Sequence, residues 1–432
     1  LHLYIVDMIL RYTSNDNTTV FLRRIKSSII YTYLYRYHRL LHTDISMLQW
    51  KSGDTADTID KPSGKDRKYV MKQAIPLPRT EILGQLPQPL LTWYQGQSAA
   101  RELPWREEVT PYHTWLSEIM LQQTRASAVI PYYHRFLAAL PDIAALAACE
   151  EETLMKLWQG LGYYSRARNL KKAAIVLMDT FHGEMPGDLD ALLKLPGIGR
   201  YTASAIGSIA FGLPLPAVDG NILRVVMRVL ACREDIASAA VKRAVENALA
   251  PHYPTGKAAG DLNQAFMDLG ATICLPHGAP HCARCPLASL CLAHDAGCEQ
   301  ELPVKQKKKQ RRQENLTVLL LRAGQAFALR KRPAKGLLAG LWELPHLKGH
   351  LTAEEVRAHL HAHGLPVQEL HQLPDARHIF SHVEWQMHGF EVILAAPSSG
   401  NVAESKEPLV WASPQEVAET YSIPAAFQHF LP

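Results

Sequence analysis

LPGIGRYTASAIGSIAFG, residues 195 to 212, is the stretch that sets the fold of this chain. Its first two glycines, Gly197 and Gly199, flank a single apolar residue just after a proline, and small residues follow at helical spacing. Glycines at the mouth of a helix let backbone N–H groups face outward, which suits a phosphate or another anion. The stretch therefore predicts two helices joined by a turn that can bind an anion. A simple Pro-Gly turn between helices is the alternative.

Helical periodicity extends on both sides of this stretch, from about residue 81 to a group of cysteines. Apolar residues recur every three or four positions in PLLTWYQ (89 to 95), WLSEIMLQQ (115 to 123) and NLKKAAIVLMDTF (169 to 181). Proline, glycine and capping residues mark the ends of these segments. The sequence therefore predicts an all-α domain over residues 81 to 300.

A basic linker and a different kind of domain follow. Every residue from 305 to 313 is Lys, Arg or Gln, so we expect a solvated linker over 301 to 315. Beyond it, LTVLLLRAG and QAFALRKRP predict a β-hairpin, EVRAHLHAHG a short helix and HGFEVILAA a further strand. These elements predict an α+β domain over residues 316 to 432.

The charge of the chain is concentrated at its beginning. The net charge is +5, but residues 1 to 70 hold 11 Lys and Arg against 7 Asp, a surplus of +4. The rest of the chain is close to neutral, so charge alone does not indicate a nucleic-acid partner. We expect residues 1 to 70 to be a non-native or disordered extension, translated from upstream of a start at Met47 or Met71, or else a flexible basic arm.

Length and hydropathy exclude several classes of protein. A chain of 432 residues is long enough for two or three domains. No run reaches the roughly 18 apolar residues of a membrane span, and no basic stretch precedes the apolar first residues. We therefore expect no membrane partner and no secretion signal. In a bacterium the protein would be cytoplasmic and associated with the nucleoid.

Five of the seven cysteines lie within 25 residues. Cys274, Cys282, Cys285 and Cys291 are spaced C-x7-C-x2-C-x5-C, and Cys298 is left over as a spare thiol. Four thiolates in one short loop can close around a Zn²⁺ ion or an iron–sulfur centre. Zinc ribbons usually pair two C-x2-C knuckles, whereas this loop has one. The spacing therefore favours a 4Fe-4S cluster, with zinc or free thiols as alternatives.

Two carboxylates stand out from the helical pattern. Glu118 shares a helix face with Trp115 and Ile119, and desolvation on such a partly apolar stripe would raise its pKa toward that of a general acid. An ordinary surface glutamate is the alternative. Asp219 precedes a Gly-Asn pair at a predicted helix start, where an N-cap is the simpler interpretation.

Taken together, these motifs resemble the MutY-type adenine DNA glycosylases of the helix-hairpin-helix base-excision superfamily. The resemblance covers about 85 to 300 and, more weakly, 316 to 432. One departure is the first cysteine gap, which has seven residues where the family usually has six. We expect a bulge there without the loss of a ligand. The motifs are LPWR (103 to 106), WLSEIMLQQT (115 to 124), GLGYYSRARNL (160 to 170), LPGIGRYTA (195 to 203), VDGN (218 to 221) and LNQAFMDLGATIC (262 to 274).

The resemblance implies roles for individual residues. Glu118 would protonate adenine and Asp219 would stabilise the cationic sugar, supported by Tyr201 and Asn221. Gln123 and Tyr163 would insert into the duplex and Thr124 would contact the opposite base. The residues implied to line the adenine pocket are Arg101, Leu103, Trp105, Arg106 and Gln264.

The C-terminal region resembles a Nudix fold, through GLLAGLWELP (336 to 345) and RHIFSH (377 to 382). Nudix hydrolases hold metal ions with several acidic residues on one helix, and only Glu354 and Glu355 are present here. The sequence therefore argues against pyrophosphatase activity. The remaining resemblance is to the lesion-reading domain of the adenine glycosylases, in which Ser381 and His382 would contact 8-oxoguanine.

The resemblance thus implies a multidomain, monomeric, monofunctional enzyme that removes adenine paired with 8-oxoguanine or guanine in double-stranded DNA. An endonuclease III-like glycosylase and lyase is one alternative, but it would need a lysine at the position of Tyr201. A catalytically inactive DNA-binding module is the other alternative, and the presence of both Glu118 and Asp219 argues against it.

Overall fold

The computed structural model describes residues 75–96, 101–306, 310–395 and 409–432, which belong to one compact unit. The extension predicted at residues 1 to 70 lies outside the described residues. Within the described ranges, no helix is both long and apolar enough to cross a lipid bilayer.

Residues 75 to 306 form a helical domain, as predicted. Many of its helices begin at a side chain that accepts a hydrogen bond from the first turn, as Thr110, Asp142 and Asp188 do. Short 3₁₀ turns lie at Thr80–Gln85, Pro104–Arg106, Ala250–His252, Cys282–Arg284 and Ala288–Leu290. The α-helices are α1 (Pro87–Gln95), α2 (Pro111–Leu121), α3 (Ala126–Ala139), α4 (Ile143–Ala148), α5 (Glu151–Trp158), α6 (Ser165–Phe181), α7 (Leu189–Leu192), α8 (Arg200–Ile209), α9 (Gly220–Val229), α10 (Ala239–Leu249), α11 (Lys257–Thr272) and α12 (Leu292–Asp295).

Two apolar cores stabilise the helical domain. Trp115, Phe136 and Trp158 are fully buried in the first core, and Phe266 is fully buried in the second. Helix α2 is enclosed along most of its length, because every residue from 114 to 120 is buried. Any polar residue in this segment, Glu118 included, is therefore removed from bulk water.

The turn predicted in residues 195 to 212 is present and joins two helices: α7, which ends at Leu192 before this stretch, and α8, which lies within it. Gly197 has a φ of +78°, and a Cβ at that position would lie 2.6 Å from the Cβ of Asn169, so only glycine fits the turn. Gly199 is the N-cap residue of α8, and no side chain caps that end. The backbone N–H groups of the first turn of α8 are left for another partner.

Residues 310 to 432 form the predicted α+β domain around one mixed sheet. Its strand order is β3-β2-β1-β6-β5, with β4 pairing with β1 and β7 pairing with β2. Strands β1 and β6 are parallel and the other pairs are antiparallel, including the predicted β1–β2 hairpin. The strands are β1 (Arg312–Ala323), β2 (Ala326–Lys331), β3 (Trp342–Glu343), β4 (His346–Lys348), β5 (Val367–Ile379), β6 (Val383–Leu394) and β7 (Leu409–Ala412), and the helices are α13 (Ala353–Ala362), α14 (Pro414–Glu419) and α15 (Ala425–Gln428).

Strand β1 begins at Arg312, inside the stretch for which the sequence predicted a linker. Its first residues pair with β6, with Arg312 opposite Val383, so polar residues extend the strand beyond its apolar core. Both faces of the sheet are covered. Trp385 and Phe427 lie in the apolar cluster on one face, and Val356 of α13 lies in the cluster on the other.

The two domains share apolar contacts. Leu341, from the loop before β3, is 1% exposed and belongs to the first core of the helical domain. Lys331 of β2 also forms an ion pair with Glu152 of α5 at 3.2 Å. The second domain is therefore packed against the helical domain, with α5 at the contact.

Candidate active site

A pocket of about 530 Å³ opens in the helical domain between the turn at 101 to 106 and helices α2, α8, α9 and α11. Glu118 and Asp219 both line it, although they lie 101 positions apart in the sequence. Tyr201 and Asn221 complete its polar end. Every residue for which the sequence predicted a catalytic role therefore lies at one pocket. The lining includes Arg101, Leu103, Trp105, Arg106, Glu118, Thr124, Tyr201, Asp219, Asn221 and Gln264.

Glu118 is 6% exposed, and burial raises its pKa to about 7. A hydrogen bond donated by Tyr201 opposes the increase, the negative charge of Asp219 adds to it, and Arg106 opposes it again. Its Oε2 atom has no hydrogen-bond partner among the described residues. This carboxyl group can therefore hold a proton near neutral pH, and one of its oxygens is buried at the pocket without a hydrogen-bond partner from the described part of the chain.

Asp219 is held by α9, for which it is the N-cap residue. Its Oδ1 accepts hydrogen bonds from the backbone N–H groups of Asn221 and Ile222, each at 2.8 Å, and its Oδ2 accepts one from Asn221 Nδ2 at 2.7 Å. Burial raises its pKa, and these hydrogen bonds together with Arg224 act in the opposite direction. The capping role predicted as the simpler interpretation is present, and it aims the same carboxylate into the pocket.

Asn221 connects the pocket to the cysteine loop through Arg224. Arg224 donates to Asn221 Oδ1 at 2.9 Å, to the Gly270 carbonyl at 2.6 Å and to the Cys274 carbonyl at 2.7 Å. These bonds fix the amide of Asn221 so that its N–H₂ group points toward Asp219. The orientation of the Asp219 carboxylate thus depends on α9, on α11 and on the cysteine loop.

The five residues predicted to line an adenine pocket all lie at this site. Arg106 donates two hydrogen bonds to Asp268, at 2.8 and 3.0 Å, and Arg101 approaches the same carboxylate at 3.6 Å. Gln264 accepts a hydrogen bond from Tyr94 at 3.2 Å. Sequence reasoning missed Asp268, which is 0% exposed. Its position one helical turn after Gln264 was the available signal.

A second group of predicted residues lies where the two domains meet. The Tyr163 hydroxyl donates to Gln123 Oε1 at 2.8 Å and shares a hydrogen bond with Ser381 Oγ at 2.8 Å. Tyr163 and Gln123 both have positive φ angles, of 48° and 59°, and Tyr163 is 45% exposed. His382 is exposed next to Ser381. These side chains form a surface distinct from the base-sized pocket, and Gly197 and Gly199 do not line that pocket.

Arg166 is a buried charge in the first turn of α6. It donates hydrogen bonds to the carbonyls of Ile119, Met120 and Gln122 at 2.7 to 2.9 Å. It also donates to the carbonyls of Leu161 and Gly162. Arg166 therefore caps the C-terminal end of α2 and fixes the loop that carries Tyr163.

The four cysteines of the predicted cluster line one small cavity beyond α11. Burial raises the pKa of Cys282 to about 11 and that of Cys285 to about 12, so without a metal ion these thiols keep their protons. Arg228 donates to Cys274 Sγ at 3.1 Å. Cys282 also lies with His294 and Glu299 in a group whose ligand atoms are within 4.8 Å of one another. The loop therefore brings four cysteines to one cavity and places a histidine and a glutamate within metal-binding distance of one of them.

Comparison with known proteins agrees with this geometry. Residues 116–251 match the HhH-GPD superfamily of base excision DNA repair proteins, and residues 317–432 match the NUDIX domain. Among solved structures, a thermostable thymine-DNA glycosylase is 27% identical, with a TM-score of 0.44 over 50% of this chain and 98% of that chain. Fold and site define a base-excision DNA repair protein with a helical glycosylase domain and a Nudix-like domain.

Curated relatives narrow the assignment. The adenine DNA glycosylase of Mus musculus is 35% identical, and the match covers 72% of this chain and 71% of the mouse protein. The adenine DNA glycosylase of Buchnera aphidicola (strain Bp) is 33% identical, with 71% of this chain and 86% of that protein covered. The chain belongs to the adenine DNA glycosylase family.

Proposed function

We propose that this protein is a monofunctional glycosylase that removes adenine paired with 8-oxoguanine or guanine in double-stranded DNA, acting as a monomer. The observation that carries the proposal is the pair of carboxylates at one pocket of about 530 Å³. One of them, Glu118, has a pKa of about 7, and the other, Asp219, accepts three hydrogen bonds that favour its charged form. An acid and an anion facing one pocket suit the cleavage of a glycosidic bond.

Glu118 supplies the proton. With its pKa raised to about 7, this carboxyl group can carry a proton at neutral pH, where an ordinary glutamate would be ionised. Transfer of the proton to N7 of adenine lets the electron pair of the C1′–N9 bond leave with the base. Departure of the base leaves a sugar with cationic character at C1′. Water then adds at C1′ and gives one proton to the ionised carboxylate of Glu118.

Asp219 stabilises the cationic sugar. Its carboxylate is fixed by the start of α9 and by Asn221, so no reorganisation is needed as positive charge develops. Tyr201 hydrogen-bonds to Glu118, and desolvation of its partly buried hydroxyl raises its pKa well above the usual value. Tyr201 therefore stays a neutral donor that holds Glu118, and it provides no amine for a lyase reaction.

The pocket residues recognise the base. Leu103 and Trp105 are buried and provide an apolar wall for a flat ring. Arg106 donates hydrogen bonds to Asp268, and Gln264 accepts one from Tyr94. Both side chains are therefore oriented before a base binds. Arg101 is partly exposed at the rim, where it can follow the base into the pocket. Thr124 also lines the pocket, and we assign it a contact with the base opposite adenine.

Ser381, Tyr163 and Gln123 read the opposite base. Their hydroxyl and amide groups form one hydrogen-bonded chain on the surface, and Tyr163 has an exposed ring that can insert between bases. A serine hydroxyl can accept from the N7–H of 8-oxoguanine or donate to its O8. His382 lies next to Ser381 and can donate to a phosphate or a base edge. Gly197 and Gly199 present backbone N–H groups to a phosphate.

The cysteine loop holds one 4Fe-4S cluster, with Cys274, Cys282, Cys285 and Cys291 as its ligands. Four sulfur donors at one cavity, with a guanidinium beside Cys274, fit a cluster of thiolate ligands better than a single hard cation. Once bound, the cluster would order the loop. All four cysteines line the cavity, so the additional residue of the first gap removes no ligand.

The test is a single-turnover assay with a duplex containing adenine opposite 8-oxoguanine, followed by alkali to reveal abasic sites. We expect adenine release from this duplex and from one with adenine opposite guanine, and none from an adenine–thymine duplex. Glu118→Gln is the matched control, since it keeps the shape of the side chain but cannot donate the proton. Failure of iron-loaded protein to release adenine from either mispair would refute the proposal.

A further inference from the structure

Helix α5 belongs to the helical domain but also holds the second domain. Lys156 of α5 donates to the carbonyls of Val417 and Tyr421, at 3.4 and 3.2 Å, and Gln159 donates to the Ile423 carbonyl at 3.1 Å. We call Lys156 and Gln159 the docking clasp. Val417 and Tyr421 lie in and just after α14, where carbonyls lack helical partners and a cation is favourable. Burial lowers the pKa of Lys156, in keeping with its position in the domain contact.

The same helix leads directly into the loop that carries Tyr163. Trp158, the last residue of α5, donates from Nε1 to the Gly162 carbonyl at 3.1 Å, and Arg166 donates to the same carbonyl at 3.1 Å. Gly160 has a φ of +100°, and a Cβ there would lie 2.1 Å from the Tyr132 hydroxyl oxygen. The loop is therefore tied closely to α5. A shift of the second domain relative to α5 is also a shift relative to Tyr163.

The second domain meets this loop again through Ser381, at 2.8 Å from the Tyr163 hydroxyl. The domains thus touch at the docking clasp and at the contact between Ser381 and Tyr163. Helix α5 and the loop that follows it connect these two contacts. A hydrogen bond of 2.8 Å is lost when its atoms move apart by less than 1 Å. Small changes at the docking clasp are therefore sufficient to separate Ser381 from Tyr163.

We infer that Lys156 and Gln159 are positioning residues for lesion discrimination: they set the register in which Ser381 of the second domain meets Tyr163 of the first. The inference rests on the proposed function, in which Ser381 and Tyr163 read the base opposite adenine. It concerns residues that touch neither the adenine pocket nor the cysteine loop.

The chain offers a matched control at the same interface. Lys331 also crosses between the domains, to Glu152 at 3.2 Å, but both side chains are more than half exposed. An exposed pair of this kind contributes little to docking. Lys331→Met and Lys156→Met therefore remove the same charge from opposite sides of one interface, and only the second removes a contact of the docking clasp. Lys156→Arg keeps a donor at the carbonyls and is the rescue variant.

The first measurement is hydrogen exchange of the DNA-free, iron-loaded protein. In Lys156→Met we expect faster exchange at residues 376 to 384 than in wild type, by about three- to tenfold, which is the weakening expected from loss of one hydrogen bond. Lys331→Met and Lys156→Arg should exchange like wild type in this segment. Unchanged exchange in Lys156→Met would overturn the inference, whether or not the protein proves to be an adenine glycosylase.

The second measurement is the ratio of excision rates for adenine opposite 8-oxoguanine and opposite guanine. Lys156→Met should narrow this ratio by about three- to tenfold, mainly by slowing excision from the duplex that contains 8-oxoguanine. In a Ser381→Ala background, Lys156→Met should narrow the ratio no further, because both substitutions remove the same contact between Ser381 and Tyr163. Equal narrowing in both backgrounds, or an equal loss of rate on both duplexes, would show that Lys156 has only a structural role. If wild type releases no adenine, the proposed function fails and the exchange measurement alone decides the inference.

Discussion

A buried glutamate with a pKa near 7 gives the molecule a dependence on pH that a surface carboxylate would not. Glu118 binds its proton more tightly in the folded protein than in the unfolded chain, since burial raises its pKa from 4.5 to about 7. Below pH 4.5 this tighter proton binding contributes fully to the free energy of unfolding. The contribution is lost as the pH rises through about 7. The complete loss amounts to about 3 kcal/mol.

Glu118→Gln should therefore lower the rate of adenine release by about 10² to 10⁴, the usual contribution of a general acid, while making the protein more stable in alkali. We expect its melting temperature to exceed that of wild type at pH 8, with a smaller difference at pH 5, because the variant has no buried charge to form. Scanning calorimetry at both values tests this. Glu184→Gln, at an exposed site, is the control. An equal difference at both pH values would contradict the assignment of the pKa to Glu118.

The hydroxyl of Tyr201 separates two reaction classes. The part of the chain that the structure describes contributes no lysine to the pocket lining, and Lys242 contacts the Tyr201 ring at 5.8 Å without lining the pocket. We therefore predict that borohydride traps no covalent adduct with the abasic product and that strand cleavage needs added alkali. Efficient trapping at an active-site amine would favour the lyase mechanism.

The site was predictable where its residues lie in local motifs. Glu118 and Asp219 stand out because a helix stripe and a helix start are visible in a short window of sequence, but only the resemblance to the adenine glycosylases implied their catalytic roles, since the local patterns left a surface glutamate and an N-cap as alternatives. Arg166, Asp268 and Lys156 could not be assigned in this way, because each has a hydrogen-bond partner 44 or more positions away. A buried charge is neutralised by whatever the fold brings beside it, and the sequence does not show that neighbour.

At the level of elements, the loop from α11 to α12 is expected to assemble around iron. We predict about four irons per chain and a brown colour from thiolate-to-iron charge transfer. Cys285→Ser should lower the iron content, whereas Cys298→Ser should leave it unchanged, because Cys298 does not line the cavity of the other four cysteines. Iron analysis and the visible spectrum of anaerobic preparations measure both. Stoichiometric zinc without iron would overturn the cluster assignment.

Helix α13 illustrates how an element can keep its fold without its chemistry. Glu355, one of its two early acidic residues, receives a hydrogen bond from the Thr352 backbone N–H at 2.8 Å, in a capping box with the Thr352 hydroxyl. That carboxylate therefore stabilises the start of the helix. Glu354 alone cannot hold the metal ions that a pyrophosphatase requires. The absence of nucleotide hydrolysis stays a prediction from the sequence.

On the scale of the whole molecule, discrimination of the lesion is expected to be divided between the domains. Ser381→Ala should narrow the preference for adenine opposite 8-oxoguanine over adenine opposite guanine by a factor equivalent to roughly 1 to 3 kcal/mol. Some preference should remain, because the proposed function also assigns contacts with the opposite strand to Thr124 and Gln123 of the helical domain. Competition between the two duplexes provides the measurement. A preference that is unchanged in Ser381→Ala would mean that another group reads the lesion.

The domain boundaries were less predictable than the domains themselves. Strand β1 starts at Arg312 because its polar first residues find partners on β6, and nothing in a run of Lys, Arg and Gln indicates such pairing. The hairpin of β1 and β2 was visible because its apolar residues continue through both strands. Pairing between distant strands depends on the sheet as a whole, which local periodicity does not describe.

Leu341 complicates the interpretation of truncated proteins. Its side chain comes from the second domain but completes the first apolar core of the helical domain, where it is 1% exposed. A chain shortened before β1 would have a cavity where Leu341 packs, and loss of a buried leucine side chain typically costs about 2 to 5 kcal/mol. Reduced activity of such a fragment would then report a weakened helical core as well as a missing lesion reader. The two effects are separable only if the fragment is compared with full-length Leu341→Ala.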